Sequence, residues 1–312
     1  MVQAMRSKRK KWRSRLFKAL LVLLLLLVTA IYWLFYDNQM PNNGSFPIDL
    51  AAIRTEAAKI AGSQPLRIEV ETVSHTKVPK IDMVRNSYRV VFEQSSIASL
   101  VPEVIVIDTG YDAKTAKADN VDQFDEAAWQ HVLKAMDGAT QIVVTHEHID
   151  HLGGLILSPN LVQILPKAIL TPKQFTASNH VESLAWPQGS RTGYKPIIYD
   201  RLLAIAPGVV LIAAPGHTPG SQMIYVQRTD GQEYIFMGDT ASNADNVRLM
   251  RMRSRFVTDL KGSDDRNAVL LQLKTLHQLS LDQPQIALIS GHDAIATAEF
   301  EQRGLLVRGF GV

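Results

Sequence analysis

The spacing of apolar positions changes along this chain, and the changes divide it into segments. Residues 19–36 form an uncharged, mostly aliphatic run. Residues 37–65 have the composition of a linker, with turn-forming residues at Pro41–Ser45 and a short helix predicted from Leu50 to Ala61. Beyond residue 65, short β-branched runs alternate with longer amphipathic stretches, which predicts one folded domain over residues 66–312.

Within that domain, period-two alternation and β-branched runs predict a series of strands. The predicted strands are Arg67–Val73, Tyr88–Phe92, Val104–Ile107, Ile142–Val144, Ile164–Leu170, Val209–Ala213, Met223–Gln227, Tyr234–Met237 and Ile286–Ile289. Helical periodicity predicts an amphipathic helix from Asp122 to Met136, with Trp129 and Val132 on its apolar side. A second helix is predicted from Asp264 to Leu279, with Ser263 as its N-cap. This order of elements indicates an α/β protein in which sheet layers are covered by helices.

The charges that precede the apolar run at the amino terminus indicate its role. Residues 1–18 form a basic leader with eight lysines and arginines and no acidic residue. The whole chain carries a net charge of only +3, so the remainder is acidic and gives no reason to expect a nucleic acid partner. As a helix, residues 19–36 would span about 27 Å, close to the hydrocarbon thickness of a bilayer.

We therefore expect an uncleaved, single-pass membrane anchor whose basic flank is cytoplasmic and whose catalytic domain is extracytoplasmic, or periplasmic in a bacterium. The tyrosines and tryptophan at the far end of the run suit the interfacial aromatic belt. A secreted protein remains the alternative, with residues 28–30 as a signal cleavage site, and a buried core helix is a third interpretation. The continuation of the apolar run to Tyr36 favours the anchor.

The segment Thr145–His151 carries the strongest chemical signal. It places three histidines and Asp150 within six consecutive positions, directly after a predicted strand. A helix would spread these side chains around its circumference, whereas a loop at a strand end can aim them at one point. Imidazole and carboxylate are the ligands of zinc and other first-row divalent ions. The chain contains no cysteine, which excludes disulfides, thiolate ligands and cysteine nucleophiles.

Three later strands also stop at a glycine beside a single ligand-type residue. These positions are Gly216–His217, Gly238–Asp239 and Gly291–His292. Glycine allows close backbone approach or unusual dihedral angles, as a crowded metal site requires. Each motif alone is weak, but their succession along one chain favours a metal site.

Together these motifs resemble the metallo-β-lactamase superfamily of binuclear metallohydrolases over residues 66–312. The resemblance implies a four-layer αββα sandwich with metals held by loops along one edge of two packed sheets. It implies a first metal bound by His146, His148 and His217 and a second bound by Asp150, His151 and His292, with Asp239 as the bridge. Zinc is the expected metal, two ions per chain, and iron or manganese would suit the same ligands.

The resemblance also implies a mechanism in which a metal-bridging hydroxide attacks an electrophilic centre. Asp150 and Asp239 are the expected catalytic carboxylates. Asp108, at the end of a predicted strand, either supports a ligand histidine or caps the strand. His75, His131, His180 and His277 lie outside the ligand pattern and are expected in surface or core roles.

Departures from subfamily patterns narrow the expected reaction. β-Lactamases with a cysteine ligand are excluded. Those that use only histidines and one aspartate usually lack a bridging aspartate, whereas Asp239 is present here, so a β-lactamase is disfavoured. Only 20 residues follow His292, which leaves no room for the glutathione-binding domain of glyoxalase II enzymes. Lactonases place a tyrosine where this chain has Ser242, which puts lactonase activity in doubt.

The expected small-molecule substrate therefore carries an ester, lactone or thioester bond. A phosphodiesterase with the same site is the main alternative, and a persulfide dioxygenase or a non-catalytic metal-binding module is less favoured. Two segments are expected near the pocket. Phe175–Tyr199 offers aromatic side chains that either line the pocket or pack in the core. Asn243–Lys261 is predicted as a helix whose arginines either meet an anionic group or form a solvated face, and they are Arg248, Arg251, Arg253 and Arg255.

Overall fold

The computed structural model describes residues 2–78, 81–93, 103–176, 185–259, 262 and 264–311. Two compact units are formed, the first by Met1–Met40 with Arg253–Asp264 and the second by Pro41–Met252 with Asp265–Val312. The helices are α1 (Val2–Phe35), α2 (Leu50–Ala57), α3 (Ala113–Ala118), α4 (Glu126–Gly138), α5 (Ile149–Leu157), α6 (Leu161–Ile164), α7 (Pro172–Thr176), α8 (Ala244–Arg248), α9 (Arg255–Thr258), α10 (Arg266–Asp282) and α11 (Ala294–Gln302). The strands are β1 (Pro65–Val78), β2 (Ile81–Phe92), β3 (Val104–Ile107), β4 (Gln123–Phe124), β5 (Gln141–Val143), β6 (Ala168–Ile169), β7 (Leu202–Ala206), β8 (Val209–Ala213), β9 (Gln222–Gln227), β10 (Glu233–Phe236), β11 (Ala287–Ile289) and β12 (Val307–Arg308).

The first unit consists of the long helix α1 and a short segment around α9. Within the 25 residues Lys11–Phe35, an 18-residue window has a mean hydropathy of 2.4 and is not buried, so this part of α1 is long and apolar enough to cross a membrane. The basic leader continues the same helix. At the other end the ring of Phe35 stacks on Phe256 at 5.6 Å, and Arg255 forms an ion pair with Asp37 at 2.7 Å. These contacts join α9 to the end of α1.

The second unit is built on two sheets. The larger sheet has the order β12-β1-β2-β3-β5-β6, with β4 paired to β1, and the smaller has the order β11-β10-β9-β8-β7. Strands β3, β5 and β6 run parallel to one another, as do β10 and β11. The carboxyl ends of parallel neighbours meet at the same edge of a sheet, so the loops that follow these strands are brought together.

The sheets pack face to face because successive residues of a strand point to opposite sides. In β3, Ile105 and Ile107 enter a core shared by both sheets, with Val209 and Phe236 among their neighbours in that cluster. Val104 and Val106 point the other way, into a second core lined by α4 and α5. A strand buried on both faces reads as a continuous apolar run, as Val104–Ile107 does. This layering is the predicted sandwich of sheets and helices.

Residues 41–65, predicted as part of a linker, belong to the compact second unit. Helix α2 packs on β7 and β8 and buries Ile53 and Ala57. Arg54 binds the carboxylate of Glu233 with two hydrogen bonds of 2.8 and 2.7 Å. The segment therefore docks on the smaller sheet.

Several predicted boundaries are wrong because of local capping chemistry. Helix α4 begins at Glu126 rather than Asp122, since the Asp125 side chain caps it and residues 123–124 form a strand with β1. Helix α10 is capped by the Asp265 side chain, which accepts a hydrogen bond from Ala268. The predicted cap Ser263 lies outside the described residues.

Two predicted elements are replaced by others. Ile164–Leu170 was predicted as a strand, but α6 and a 3₁₀ turn over Leu165–Lys167 occupy most of it and only β6 remains. The helix predicted over Asn243–Lys261 is interrupted after α8, where Met250 adopts a left-handed backbone with φ of 48°. The arginines of this segment therefore do not share one helix face.

Candidate metal centre

The predicted ligands lie in loops that follow four strands, β5, β8, β10 and β11. The loop after β5 carries His146 and His148 and leads into α5, whose first turn holds Asp150 and His151. Loops after β8 and β11 carry His217 and His292, and a 3₁₀ turn directly after β10 carries Asp239. All seven predicted side chains converge in two groups, and each group could hold a metal ion.

The first group consists of three imidazoles that surround one point. Nδ1 of His148 lies 3.0 Å from Nε2 of His146 and 3.0 Å from Nε2 of His217. Two of the three residues are almost completely buried. Asp239 joins this group through Oδ2, which is 3.6 Å from Nε2 of His217. Such nitrogen and oxygen sets with short mutual distances suit a tetrahedral divalent ion.

The second group contains Asp150, His151 and His292. Oδ2 of Asp150 lies 3.4 Å from Nε2 of His292, and Oδ1 lies 3.8 Å from Nε2 of His151. The other oxygen of Asp239, Oδ1, is 3.0 Å from Nε2 of His292 and 3.7 Å from Nε2 of His151. Asp239 thus faces the first group with one carboxylate oxygen and the second group with the other.

The donor atoms fit metal ions in their chemistry and orientation. Nε2 of His151 is buried and has no hydrogen-bond partner among the described residues, as expected of an atom that serves as a ligand. The opposite ring nitrogens are occupied: Nδ1 of His292 bonds the carbonyl of Val84 at 2.9 Å, and Nδ1 of His151 bonds Asp108 at 2.9 Å. These contacts fix the tautomer that leaves Nε2 available to a metal.

Asp108 and Thr145 form a supporting layer beneath the histidines. Oδ1 of Asp108 accepts a hydrogen bond from the backbone N–H of Thr145 at 2.7 Å. The Thr145 hydroxyl contacts both Asp108 oxygens and lies 3.1 Å from Nδ1 of His146. Asp108 adopts a left-handed backbone with φ of 57°, a conformation that aspartate tolerates better than most residues. Of the two interpretations of Asp108, its contact with His151 favours the support of a predicted ligand histidine.

Burial and neighbouring charges set the protonation of these groups. Burial, with the nearby histidines, holds the pKa of His146 well below its ordinary value and lowers the pKa of His148 to about 4. Both imidazoles are therefore neutral at pH 7, as metal ligands must be. Burial opposes ionisation of Asp150 and Asp239, but the surrounding histidines outweigh it and lower both pKa values. Burial also opposes protonation of His151, yet Asp108 and Asp150 raise its pKa to about 9, so a metal that binds Nε2 would have to displace a proton.

Two glycines make room for the Asp239 carboxylate and its neighbours. A Cβ atom on Gly291 would lie 2.3 Å from Oδ1 of Asp239, a distance that no real contact allows. Gly238 has a φ of 52°, and a Cβ there would lie 2.8 Å from the side chain of Thr145. Both positions match the expectation that glycines beside the ligands permit close approach.

Sequence reasoning missed two residues beside the site. Glu147, between two ligand histidines, is buried and accepts hydrogen bonds from the Thr218 hydroxyl at 2.6 Å and the Gly220 N–H at 3.0 Å, which ties the His217 loop to the motif. Arg85 on β2 lies 3.4 Å from Asp150. A charged residue inside a buried strand needs a buried partner, and that signal was available in the sequence.

The remaining candidates have structural contacts. His131 lies against Glu71, and His277 bonds the carbonyl of Val247, whereas His180 lies outside the described residues. The rings of Phe175 and Tyr194 are 4.8 Å apart and pack against the core. Arg248, Arg253 and Arg255 form ion pairs with Asp245, Asp264 and the pair Asp37 and Asp259, respectively.

Comparison with solved structures gives the same fold at low sequence identity. The chain is similar to a quorum-quenching N-acyl homoserine lactone lactonase, with a TM-score of 0.55 and 17% identity, covering 78% of this chain and 97% of that one. It is also similar to an N-acyl homoserine lactone hydrolase with N-hexanoyl-L-homoserine bound at its catalytic metal centre, with a TM-score of 0.55, 16% identity and coverage of 76% and 96%. A probable metal-dependent hydrolase from Staphylococcus aureus has a TM-score of 0.51, 14% identity and coverage of 74% and 91%.

No curated protein matches the chain significantly. The family model described as the metallo-beta-lactamase superfamily matches residues 102–279, more than half of the chain and all of the site except His292. With this match and the two ligand groups at the sheet edge, the chain belongs to the metallo-β-lactamase superfamily and is a metallohydrolase.

Proposed function

We propose that this metallohydrolase holds two divalent ions and cleaves ester, lactone or thioester bonds in a small molecule. The observation that carries the proposal is the position of Asp239, whose two oxygens face the two ligand groups at 3.6 Å and 3.0 Å from their histidine nitrogens. A carboxylate shared in this way offsets the repulsion between two nearby cations. A site for one ion would need no such bridge.

The chain supplies the ligands and the ionised carboxylates. His146, His148 and His217 would hold the first ion, and Asp150, His151 and His292 the second. Two divalent ions in this position would lower the pKa of water to about 7 and polarise the substrate oxygen. Asp150 remains ionised, so it can accept a hydrogen bond from the attacking water and orient it toward the carbonyl carbon.

Zinc is the proposed metal because five of the seven ligands are imidazoles and none is a thiolate. Iron and manganese suit the same donors. Elemental analysis of the chain purified without added metal would identify the native ion.

A carbonyl substrate is favoured by the similarity to two structures described as homoserine lactone hydrolases, one with an opened acyl homoserine bound at its metal centre. At 16–17% identity this similarity supports the choice of bond only and leaves the substrate itself open. Ser242, where lactonases of the family have a tyrosine, separates this chain from those enzymes.

We further propose that α1 anchors the enzyme in a membrane with the catalytic unit on the extracytoplasmic side. The window Lys11–Phe35 would span about 37 Å as a helix, enough for the hydrocarbon core. The basic residues before it favour a cytoplasmic amino terminus. A signal sequence has the same composition, so the intact mass of protein from the membrane fraction is the test. Loss of residues up to about Ala30 would refute the anchor.

The reaction is tested with the full chain in detergent, loaded with zinc and assayed against lactones, thioesters, aryl esters, phosphodiesters and β-lactams. An Asp239→Ala variant should lose turnover. Asp245→Ala is the matched control. Asp245 is an exposed aspartate six residues after Asp239, and it forms an ion pair with Arg248 rather than with a predicted ligand. Carbonyl ester turnover that depends on Asp239 supports the proposal. Turnover of phosphodiesters alone, or of none of the substrates with two metals bound, contradicts it.

A further inference from the structure

Arg85 is a buried cation beside the second ligand group. Its side chain projects from β2 and the residue is only 9% exposed. Nη1 donates to the Thr76 hydroxyl at 3.2 Å, and Nη2 donates to Oδ2 of Asp119 at 3.3 Å. Nε faces Oδ2 of Asp150 at 3.4 Å and has no hydrogen-bond partner among the described residues.

The oxygen that Arg85 faces is also a member of the second ligand group. Oδ2 of Asp150 lies 3.4 Å from Nε of Arg85 and 3.4 Å from Nε2 of His292. A cation held by Asp150 and His292 would therefore share that carboxylate with a guanidinium. Arginine stays protonated in proteins, so its charge cannot be relieved by losing a proton.

We propose that Arg85 is a fixed positive charge that weakens cation binding at the second ligand group relative to the first and keeps the second ion exchangeable. The inference rests on the two-metal function proposed above. It assigns Arg85 a positioning role through charge, because the side chain reaches the ions only by way of Asp150.

Charge rather than orientation decides the sign of the effect. Arg85 could favour metal binding by holding Asp150 in place, but a hydrogen bond at this separation without good alignment contributes little. Coulomb repulsion falls only as the inverse of distance and is weakly screened in a buried site. Hydrogen bonds from Nη1 to Thr76 and from Nη2 to Asp119 hold the guanidinium in place, so it cannot move away when a cation binds.

Asp119 offsets part of the arginine charge. Its carboxylate lies 3.3 Å from Nη2, but its side chain is 40% exposed and therefore partly screened by water. Removing the Asp119 charge should leave more of the arginine field acting on the second ligand group. Arg85 and Asp119 thus have opposite expected effects on the same ion.

The test is zinc binding by the full chain in detergent, measured by competition with a chromophoric chelator that resolves two successive affinities. Arg85→Met removes the charge at similar length and should tighten the weaker affinity by about tenfold or more, equal to at least about 1.4 kcal/mol, without changing the tighter one. Arg85→Lys keeps the charge and should remain within about threefold of the unmodified chain.

Two further variants make the result decisive. Arg89→Met is the matched control, because Arg89 is a similarly buried arginine of β2. Its Nε lies 2.7 Å from Oε2 of Glu69, which belongs to neither ligand group, so both zinc affinities should be unchanged. Asp119→Asn should weaken the second affinity by about threefold, and its partly exposed position makes it usable even if Arg85→Met fails to fold.

A second affinity that is unchanged or weakened in Arg85→Met, or unchanged or tightened in Asp119→Asn, would overturn the proposal. Equal changes in methionine and lysine variants would also overturn it, since they would assign the effect to geometry. If the unmodified chain binds no zinc or one ion, the two-metal function itself fails, and the two failures are thereby distinguished.

Discussion

Asp108→Asn tests whether the layer beneath the histidines controls the metal site. Asp108 accepts from the Thr145 N–H at 2.7 Å and from Nδ1 of His151 at 2.9 Å, and the residue is buried. Asparagine has the same shape and tolerates the φ of 57° at this position, so the backbone should be unaffected. What is lost is the negative charge and one of the two accepting oxygens.

The expected magnitude follows from the role of such supporting carboxylates. Loss of an outer partner of a ligand histidine typically reduces metal affinity by about 10- to 100-fold, which corresponds to roughly 1.4 to 2.8 kcal/mol. The loss should fall on the ion held by His151. His146, which contacts Thr145 rather than Asp108, should be affected less.

Chelator competition followed by ester hydrolysis at limiting zinc measures both consequences. Asp112→Asn is the control, because Asp112 caps α3 through Thr115 at 2.8 Å and asparagine caps helices equally well. Unchanged zinc affinity in Asp108→Asn, with the fold intact by circular dichroism, would refute the reasoning.

Further predictions concern the bridge, the core and the docked helix. Gly291→Ala should lower kcat/KM by more than about tenfold, because its Cβ would sit 2.3 Å from Oδ1 of Asp239; steady-state kinetics showing ordinary turnover would contradict the crowding. Trp129→Ala should cost about 3 to 5 kcal/mol of unfolding free energy by urea titration, since the ring is 5% exposed in the core lined by α4; a loss under about 1 kcal/mol would contradict its burial. Arg54→Met should cost about 1 to 3 kcal/mol in the same titration, because it leaves the buried Glu233 carboxylate with the Tyr225 hydroxyl but without a cation; an unchanged midpoint would show that α2 docks without this pair.

The layers were predictable from short-range patterns in the sequence, whereas the two groups of ligand-type residues were predictable from the resemblance to the family. In a β-branched run such as Val104–Ile107, all the apolar side chains leave water only when the strand is buried on both faces. The predicted bounds of this run are those of β3. The ligand motifs each follow a strand, so the strand order fixes where they converge. Sequence alone could not give the distances that make Asp239 face both groups.

Apart from the helix boundaries set by local caps, the errors arise from contacts that are distant along the chain. Phe124 was assigned to a helix by its periodicity, but pairing with β1 draws it into β4. Ile164–Leu170 is apolar enough for a strand, yet most of it forms helical turns in the core beside α4. The role of Arg85 depends on Asp150, which is 65 residues away and meets it only in the folded sheet.

The most direct test of the two-metal account is the zinc content of the full chain after loading and removal of free metal, measured by elemental analysis beside Asp239→Ala. We expect two ions per chain and fewer than two in the variant, because Asp239 faces both groups. One ion or none in the unmodified chain, or two ions retained in Asp239→Ala, would contradict the bridging role on which the account depends.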